Sequence, residues 1–425
     1  MSSLAIQGGH RLSGKVSISG DKISTVHVLL MSFFIESTLL IKNTSLCGDA
    51  VFIINWLRDS GIKKITIDKN NLRIVHLQNT EVSFEKICKS RASICLLPGV
   101  VLKNKFATFY KPKGCNFTIR PIDLHLKLAK SLGISIKQTS NSINCSLVSK
   151  KEILKFSCKS NFGPSVGVTC SALFSAIQIN KRVVLSDVAV EPVVSSICAI
   201  LKKLGHKVVL DEKKRKISVA KNKRWVQPNK PITLTIKPDL TETVTMISAA
   251  ISTKSCIDLE NCKLTKSVKM FFKDLNINTL SIGRNVYRFD CSNIINPKKT
   301  YTLDVWPSLP SDIGPVMCSA LASLGDGNKI IDKVYDKRDS HLKELNKLGF
   351  QFKNINKGYT IDSRVGIKYL NVYAHDIRAG ASLAVASLGI DEYILIQNYS
   401  QIERGYDSFY EKLKSLGADI KIINE

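Results

Sequence analysis

One unit recurs six times along this chain, and that recurrence limits the folds open to it. Each copy is an amphipathic segment that ends in Leu and a turn residue, then runs at once into a β-branched strand. The junctions are Leu57-Arg58-Asp59-Ser60-Gly61-Ile62, Leu132-Gly133-Ile134, Leu204-Gly205-His206, Leu275-Asn276-Ile277, Leu348-Gly349-Phe350 and Leu416-Gly417-Ala418. Counted from Gly61, successive turn residues lie 72, 72, 71, 73 and 68 residues apart. Gly at such a place predicts a left-handed helix cap. Asn276 keeps the rule, because Asn tolerates that conformation.

A second helical pattern shares the period. It begins near Lys22, Arg91, Ser165, Asp239, Asp312 and Asp376, and its members are rich in small and apolar residues, as in Met317-Cys318-Ser319-Ala320-Leu321-Ala322. Helices apolar on most faces are buried, and small residues let them pack closely. Each unit therefore reads as strand, buried helix, strand, surface helix. Six units make two domains of three, with the break expected in the polar stretch Arg224 to Pro231. The first unit lacks room for an early strand, so the N-terminal segment Leu4 to Ile18 is expected to cross to the second domain near Gly20. The division is then 22–236 for one domain and 1–21 plus 237–425 for the other. Charged residues gather at the buried-helix starts: Lys22, Arg91, Asp239, Asp312, Asp376 and Arg378. Helix N-termini present free N–H groups, so three of them pointing one way favour an anion.

Composition narrows the class. At 425 residues the chain exceeds one ordinary core, and no apolar run reaches membrane-spanning length. The N-terminus lacks the basic-then-apolar order of a signal peptide, so a cytoplasmic protein with no membrane partner is expected. Twelve scattered Cys with no Cys-x-x-Cys pair predict buried thiols in a reducing compartment and no structural metal. The net charge of +27 is spread along the chain and reads mostly as solvated surface, with an anionic ligand accounting for a minority.

One loop carries chemistry. Lys111-Pro112-Lys113-Gly114-Cys115 has neither helix nor strand periodicity. A thiol there, beside Lys113, is accessible and acidified. Six residues on from Cys115, Pro121 is expected to open a helix through Ile122, Leu126, Ala129 and Leu132, with Arg120 at its start.

In this order the motifs resemble the enolpyruvyl transferase family, most closely its UDP-N-acetylglucosamine branch. They are Ser19-Gly20-Asp21-Lys22, Arg91-Ala92-Ser93-Ile94, Gly114-Cys115, Arg120-Pro121-Ile122-Asp123-Leu124-His125, Ser165-Val166-Gly167, Glu191-Pro192, Pro238-Asp239, Pro310-Ser311-Asp312, Arg338, Asp376-Ile377-Arg378-Ala379-Gly380 and Glu403-Arg404-Gly405-Tyr406. The match runs from Ile6 to the C-terminus. It implies an α/β fold of two inside-out α/β-barrel (prism) domains, each of three strand-helix-strand-helix repeats, with the active site in the cleft between them. It implies transfer of the enolpyruvyl (1-carboxyvinyl) group of phosphoenolpyruvate to a hydroxyl of UDP-N-acetylglucosamine. Phosphate is released by addition then elimination, as a step of peptidoglycan precursor synthesis, in a monomer or weak oligomer.

Residue by residue, the resemblance implies the following roles. Cys115, Asp312, Lys22 and Arg404 are catalytic. Lys22, Arg120, Arg338, Arg378 and Arg404 hold phosphoenolpyruvate. Arg91, Arg120, Pro121, Ile122, Asp123, Leu124, Ser165, Val166, Gly167, Asp312 and Val334 hold the acceptor. The reaction's needs agree with those types: cations for a dense anion, an acid to protonate C3, and a carboxylate to take the hydroxyl proton. No cofactor and no metal is called for. The loop match also implies that Cys115 is alkylated by fosfomycin, an epoxide phosphonate.

Four positions depart from the family pattern: Ile23 in place of Asn, Gly163 in place of Lys, Leu240 in place of Arg and Val193 in place of Glu. An Asn-to-Ile change removes hydrogen bonds. The departures leave open a paralogue acting on another uridine nucleotide, such as UMP in secondary metabolism. The same repeat also occurs in RNA 3′-terminal phosphate cyclases, so an RNA-binding protein is the remote alternative. Nucleic acid is not the expected partner, because no match to that family's nucleophilic His region is found.

Overall fold

All six junction residues adopt the left-handed backbone: Gly61 (φ 69°), Gly133 (82°), Gly205 (85°), Asn276 (58°), Gly349 (90°) and Gly417 (87°). A computed structural model describes residues 2–77, 82–112, 121–179, 182–220, 230–336 and 338–424. The common plan is a strand, a buried helix, a strand parallel to the first, a surface helix and a closing antiparallel pair; the second repeat shows only its three antiparallel strands among the described residues, and the sixth is closed with the N-terminal strand. The third copy shows the plan in full. Ile153–Ser157 leads through the helix Val166–Ala176 to the parallel strand Arg182–Ser186. The helix Pro192–Lys203 then delivers the hairpin Lys207–Asp211 and Lys216–Ala220.

Among the described residues the chain divides into two compact units, one formed by residues between 20 and 237 and the other by 2–19 with 238–424. In the first unit, the strand Ile232–Thr235 pairs in parallel with Leu39–Lys42, in the order Ile232–Thr235, Leu39–Lys42, Asn71–His76, Lys63–Asp68. It supplies the early strand that the first repeat lacks. The polar stretch 224–231 falls mostly outside the described residues. Ile232–Thr235 belongs to this unit, which ends at Lys237, and Pro238 opens the other.

In the second unit, Lys15–Ser17 opens the fourth repeat by pairing in parallel with Cys256–Glu260. Ser2–Gln7 closes the sixth, lying antiparallel between Tyr393–Gln397 and Asp419–Asn424. The crossings are tight. A Cβ on Gly20 would stand 1.7 Å from the Asn43 carbonyl oxygen, so only Gly fits there.

Each unit has helices inside and sheets outside. Leu240–Ser252, Gly314–Ser323 and Ile377–Leu388 pack against one another. Their small side chains bring the backbones close, and the Ser319 and Ser382 hydroxyls between them are paired. The Ser319 and Ser382 hydroxyls are 2.7 Å apart, and Ser382 Oγ donates to the Pro315 carbonyl at 2.8 Å. Surface helices are amphipathic instead. Lys266–Asp274, capped by Thr265, buries Val268, Phe271 and Phe272 and turns its lysines outward. No described helix is long and apolar enough to cross a membrane.

The positive charge is distributed by unit. Residues 20–237 hold 36 Lys and Arg against 13 Asp and Glu, whereas the remainder holds 26 against 22. The even spread seen along the chain therefore conceals an imbalance that the partition exposes.

Candidate active site

Within the unit 20–237, one end gathers the starts of the buried helices. Asp21 caps Lys22–Ser32 by accepting the Ser24 N–H at 2.7 Å. Lys22 follows at once, its ammonium 2.8 Å from Asp49 Oδ2 on the neighbouring helix Gly48–Asp59. Arg91 begins a 3-10 turn, Arg91–Leu96, that feeds the helix Leu97–Asn104. Pro98 explains the break between them: it has no N–H to continue the hydrogen-bond ladder but suits a first turn. Arg91 donates to the Pro121 carbonyl at 3.3 Å. Ser165 caps Val166–Ala176 by accepting the Val168 N–H.

The expected helix after Arg120 begins two residues late. Ile122, at φ −105° and ψ 6°, is its cap, and the helix runs Asp123–Ser131. Pro121 therefore lies outside it. Asp123 is exposed and pairs loosely with Lys127 at 3.9 Å. Leu124 is half-buried on the first turn. Cys115 and Arg120 lie outside the described residues.

Beneath these helix starts lies a buried group that sequence reading missed. A Cβ on Gly167 would meet His125 Nε2 at 3.1 Å, and Cys95 Sγ lies 3.3 Å from the Gly167 carbonyl oxygen. Burial, with Arg91 and His27 adding, pushes the His125 imidazole down to about 3, while burial pushes the Cys95 thiol up to about 12. Both are thereby held neutral. The signal available was the run of small residues at Gly167 facing a His.

Within the other unit, Asp312 sits on the turn Ser311–Ile313 before the helix Gly314–Ser323. Arg338 Nη1 donates to Asp312 Oδ1 at 2.8 Å and to Ser311 Oγ at 3.2 Å. Arg378 Nη2 lies 3.5 Å from Asp312 Oδ2. Both guanidiniums are buried. Burial opposes their charge, but Asp312 for Arg338, and Tyr406 with Asp312 for Arg378, more than offset it and shift each upward. The Tyr406 hydroxyl is 2.9 Å from Thr245 Oγ1.

Asp376 caps the third buried helix, accepting the Arg378 and Ala379 N–H groups at 2.9 and 3.1 Å. Arg404 bonds Gln401 Oε1 at 2.9 Å. A Cβ on Gly405 would stand 2.0 Å from Ile377 Cγ2, so Gly lets the 403–406 turn press on the helix that carries Arg378.

Asp332, which no motif flagged, organises the loop that presents Arg338. It accepts a short bond from Ser311 Oγ and the N–H groups of Val334 and Tyr335 at 2.8 and 3.1 Å. Sequence reading reached Val334 but not the carboxylate that fixes it. The four departures divide. Val193 and Leu240 are buried, 1% and 8% exposed, and serve their cores. Ile23 is half-buried on the first turn after Lys22. Gly163, at φ 89°, lies in a small hairpin where Ser160 Oγ bonds its carbonyl at 2.7 Å.

Half-buried Lys22 and Arg91 at helix starts in one unit, and Asp312 between the buried guanidiniums of Arg338 and Arg378 in the other, are suited to a small polyanion and a proton acceptor. Known proteins agree. The sequence model of EPSP synthase (3-phosphoshikimate 1-carboxyvinyltransferase) matches residues 6–413. A UDP-N-acetylglucosamine 1-carboxyvinyltransferase of Kosmotoga olearia is 28% identical over 435 aligned positions, spanning 100% of both chains. The enzyme of that name from Orientia tsutsugamushi (strain Ikeda) is 29% identical over 438 positions, again spanning both chains. Among solved structures, the enolpyruvyl transferase NikO from Streptomyces tendae superposes with a TM-score of 0.86 at 19% identity, covering 100% of this chain and 99% of that one. EPSP synthase from Acinetobacter baumannii gives 0.75 at 16%, with full coverage of both. The fold is the one these structures share, and with a family match over nearly its whole length the chain belongs to the EPSP synthase family of carboxyvinyltransferases.

Proposed function

We propose that this protein transfers the enolpyruvyl group of phosphoenolpyruvate to a hydroxyl of UDP-N-acetylglucosamine, releasing phosphate, as a cytoplasmic step of peptidoglycan precursor synthesis. The observation that carries the proposal is Asp312 held between the buried guanidiniums of Arg338 and Arg378. Phosphoenolpyruvate brings a carboxylate and a phosphate, which need such cations. Lys22, Arg120, Arg338, Arg378 and Arg404 hold it in this reading. As the arginines turn to the ligand, Asp312 is released to accept the acceptor's proton.

The chemistry balances without a cofactor. Cys115 gives a proton to C3 of phosphoenolpyruvate, making C2 electrophilic. The acceptor oxygen attacks C2 as Asp312 takes its proton, forming a phosphate-bearing tetrahedral adduct. A C3 proton then leaves, the C2–O bond to phosphate breaks, and the vinyl double bond re-forms. Arg91, Arg120, Pro121, Ile122, Asp123, Leu124, Ser165, Val166, Gly167, Asp312 and Val334 form the acceptor side of the same proposal. The protein acts as a monomer or weak oligomer.

A second reading keeps the chemistry and changes the acceptor to another uridine nucleotide such as UMP. Ile23 and Gly163 favour it, since an aliphatic chain and a bare backbone stand where the family pattern has hydrogen-bonding and cationic groups. Phosphate release from phosphoenolpyruvate, measured with UDP-N-acetylglucosamine, UDP, UMP and shikimate 3-phosphate, tests both. Turnover with UDP-N-acetylglucosamine is expected. Turnover confined to UMP or UDP would install the second reading, and none with any of the four would overturn both.

A further inference from the structure

The unit 20–237 carries almost all of the net charge, and among the described residues its two most exposed apolar side chains lie on that basic surface. Phe106 is 72% exposed and Val148 is 75% exposed. Phe106 opens the strand Phe106–Tyr110, whose inward residues are Ala107 and Phe109. Its direct partner on Ser142–Leu147 is Ser146. Val148 lies two residues beyond Ser146, on the bend just past that strand's end, and is exposed, so it comes close to the diagonal position beside Phe106. The Val148 N–H is fixed to the Gly133 carbonyl at 2.9 Å, and Leu147 N–H to the Lys105 carbonyl at 2.7 Å. The pair is therefore displayed by ordered backbone.

Cations surround it. Lys105 precedes Phe106, Lys130 accepts the Gly133 N–H through its carbonyl, and Lys150 and Lys151 follow Val148. All four are exposed. Next along the chain come Ile153, 52% exposed on an edge strand, and the exposed Lys155. Glu152 is the one acid in the segment 148–155.

We propose that this face is a reversible docking surface for a bilayer rich in anionic lipid, with Phe106 and Val148 entering the headgroup region and the lysines meeting the lipid phosphates. Charge complementarity selects this partner. A basic patch draws the surface to anionic lipid, and one aromatic with an aliphatic side chain beside it adds the second signal that stable attachment needs. RNA is favoured less: base stacking wants several aromatics, and Val148 and Ile153 offer a base nothing. The surface is independent of the residues assigned to catalysis.

Co-sedimentation of the full chain with phosphatidylcholine vesicles containing about one-third phosphatidylglycerol tests it. Binding is expected at low salt, with little to pure phosphatidylcholine, and is lost at high salt. Lys150→Glu with Lys151→Glu is expected to lower the partition coefficient about tenfold or more. Phe106→Ser with Val148→Ser should lower it about tenfold while phosphate release in solution stays unchanged. No binding to the anionic vesicles, or equal binding by the Ser double variant, overturns the proposal. Capture of poly-U by the wild type and not by the Glu variant, without vesicle binding, would overturn it in favour of nucleic acid.

Discussion

The Arg378 guanidinium lies over the Tyr406 ring, 5.1 Å from its centre, and reaches toward Asp312 from that seat. The ring is buried and attracts the cation while leaving the guanidinium edge for an anion. Tyr406→Phe keeps the ring and loses the hydroxyl's bonds to Thr245 and to Arg378. We expect a cost of about 1 kcal/mol in stability and a KM for phosphoenolpyruvate within about threefold of wild type. Tyr406→Leu is expected to raise that KM about tenfold or more. Steady-state kinetics on both decides the matter, and a Leu variant as good as the Phe variant would refute the role of the ring.

Asp312 is expected to be chemically essential and structurally modest. Asp312→Asn leaves Arg338 a hydrogen-bond acceptor but removes the proton acceptor. A fall in kcat of about a hundredfold or more is expected, with the melting temperature lowered by only a few degrees. Arg404→Ala should abolish turnover and leave the circular dichroism spectrum intact. Near-normal turnover in either variant would place the reaction elsewhere.

Cys115 is expected to be alkylated by fosfomycin. Intact-mass spectrometry of wild type and Cys115→Ser, each incubated with the drug and UDP-N-acetylglucosamine, reads the adduct directly. One added drug mass on the wild type alone is the expected result. An unmodified wild type at saturating drug counts against a poised thiolate on this loop.

His125 and His341 couple stability to acid. Burial lowers each from 6.5 to about 3. The unfolded chain therefore binds protons that the folded one refuses between those values. Stability is full above about pH 6.5 and falls as the pH drops toward about 3, by up to ~1.4 kcal/mol per pH unit for each histidine. Urea unfolding across about pH 4.5 to 7 measures the slope. His125→Gln should flatten it, and an unchanged slope would show that this histidine is protonated in the fold.

Much of this was legible because local chemistry dictated it. A left-handed turn residue before each strand is a backbone requirement, and Gly61, Gly133, Gly205, Asn276, Gly349 and Gly417 announce it without tertiary knowledge. The helix starts near Lys22, Ser165, Asp239 and Asp376 were equally visible. What stayed hidden depends on approach between distant segments. Asp332 is an ordinary strand-end acid until Ser311 and the 334–335 backbone close around it. Asp49 gains meaning only beside Lys22, and Tyr406 only beneath Arg378. The charge imbalance was countable from the expected division 22–236 as well, but a spread of Lys along the whole chain does not draw the eye to it.

The exchange of strands has a consequence for how the chain is made. The unit 20–237 has all its strands once Thr235 has been synthesised. The other must keep Ser2–Gln7 unpaired while nearly the whole chain emerges, because its neighbours are Tyr393–Gln397 and Asp419–Asn424. On the ribosome Ser2–Gln7 thus emerges long before both of its partners and is among the last strands to settle. Ser2 ends opposite Asn424 in that ladder, which brings the two termini together and makes the unit amenable to circular permutation.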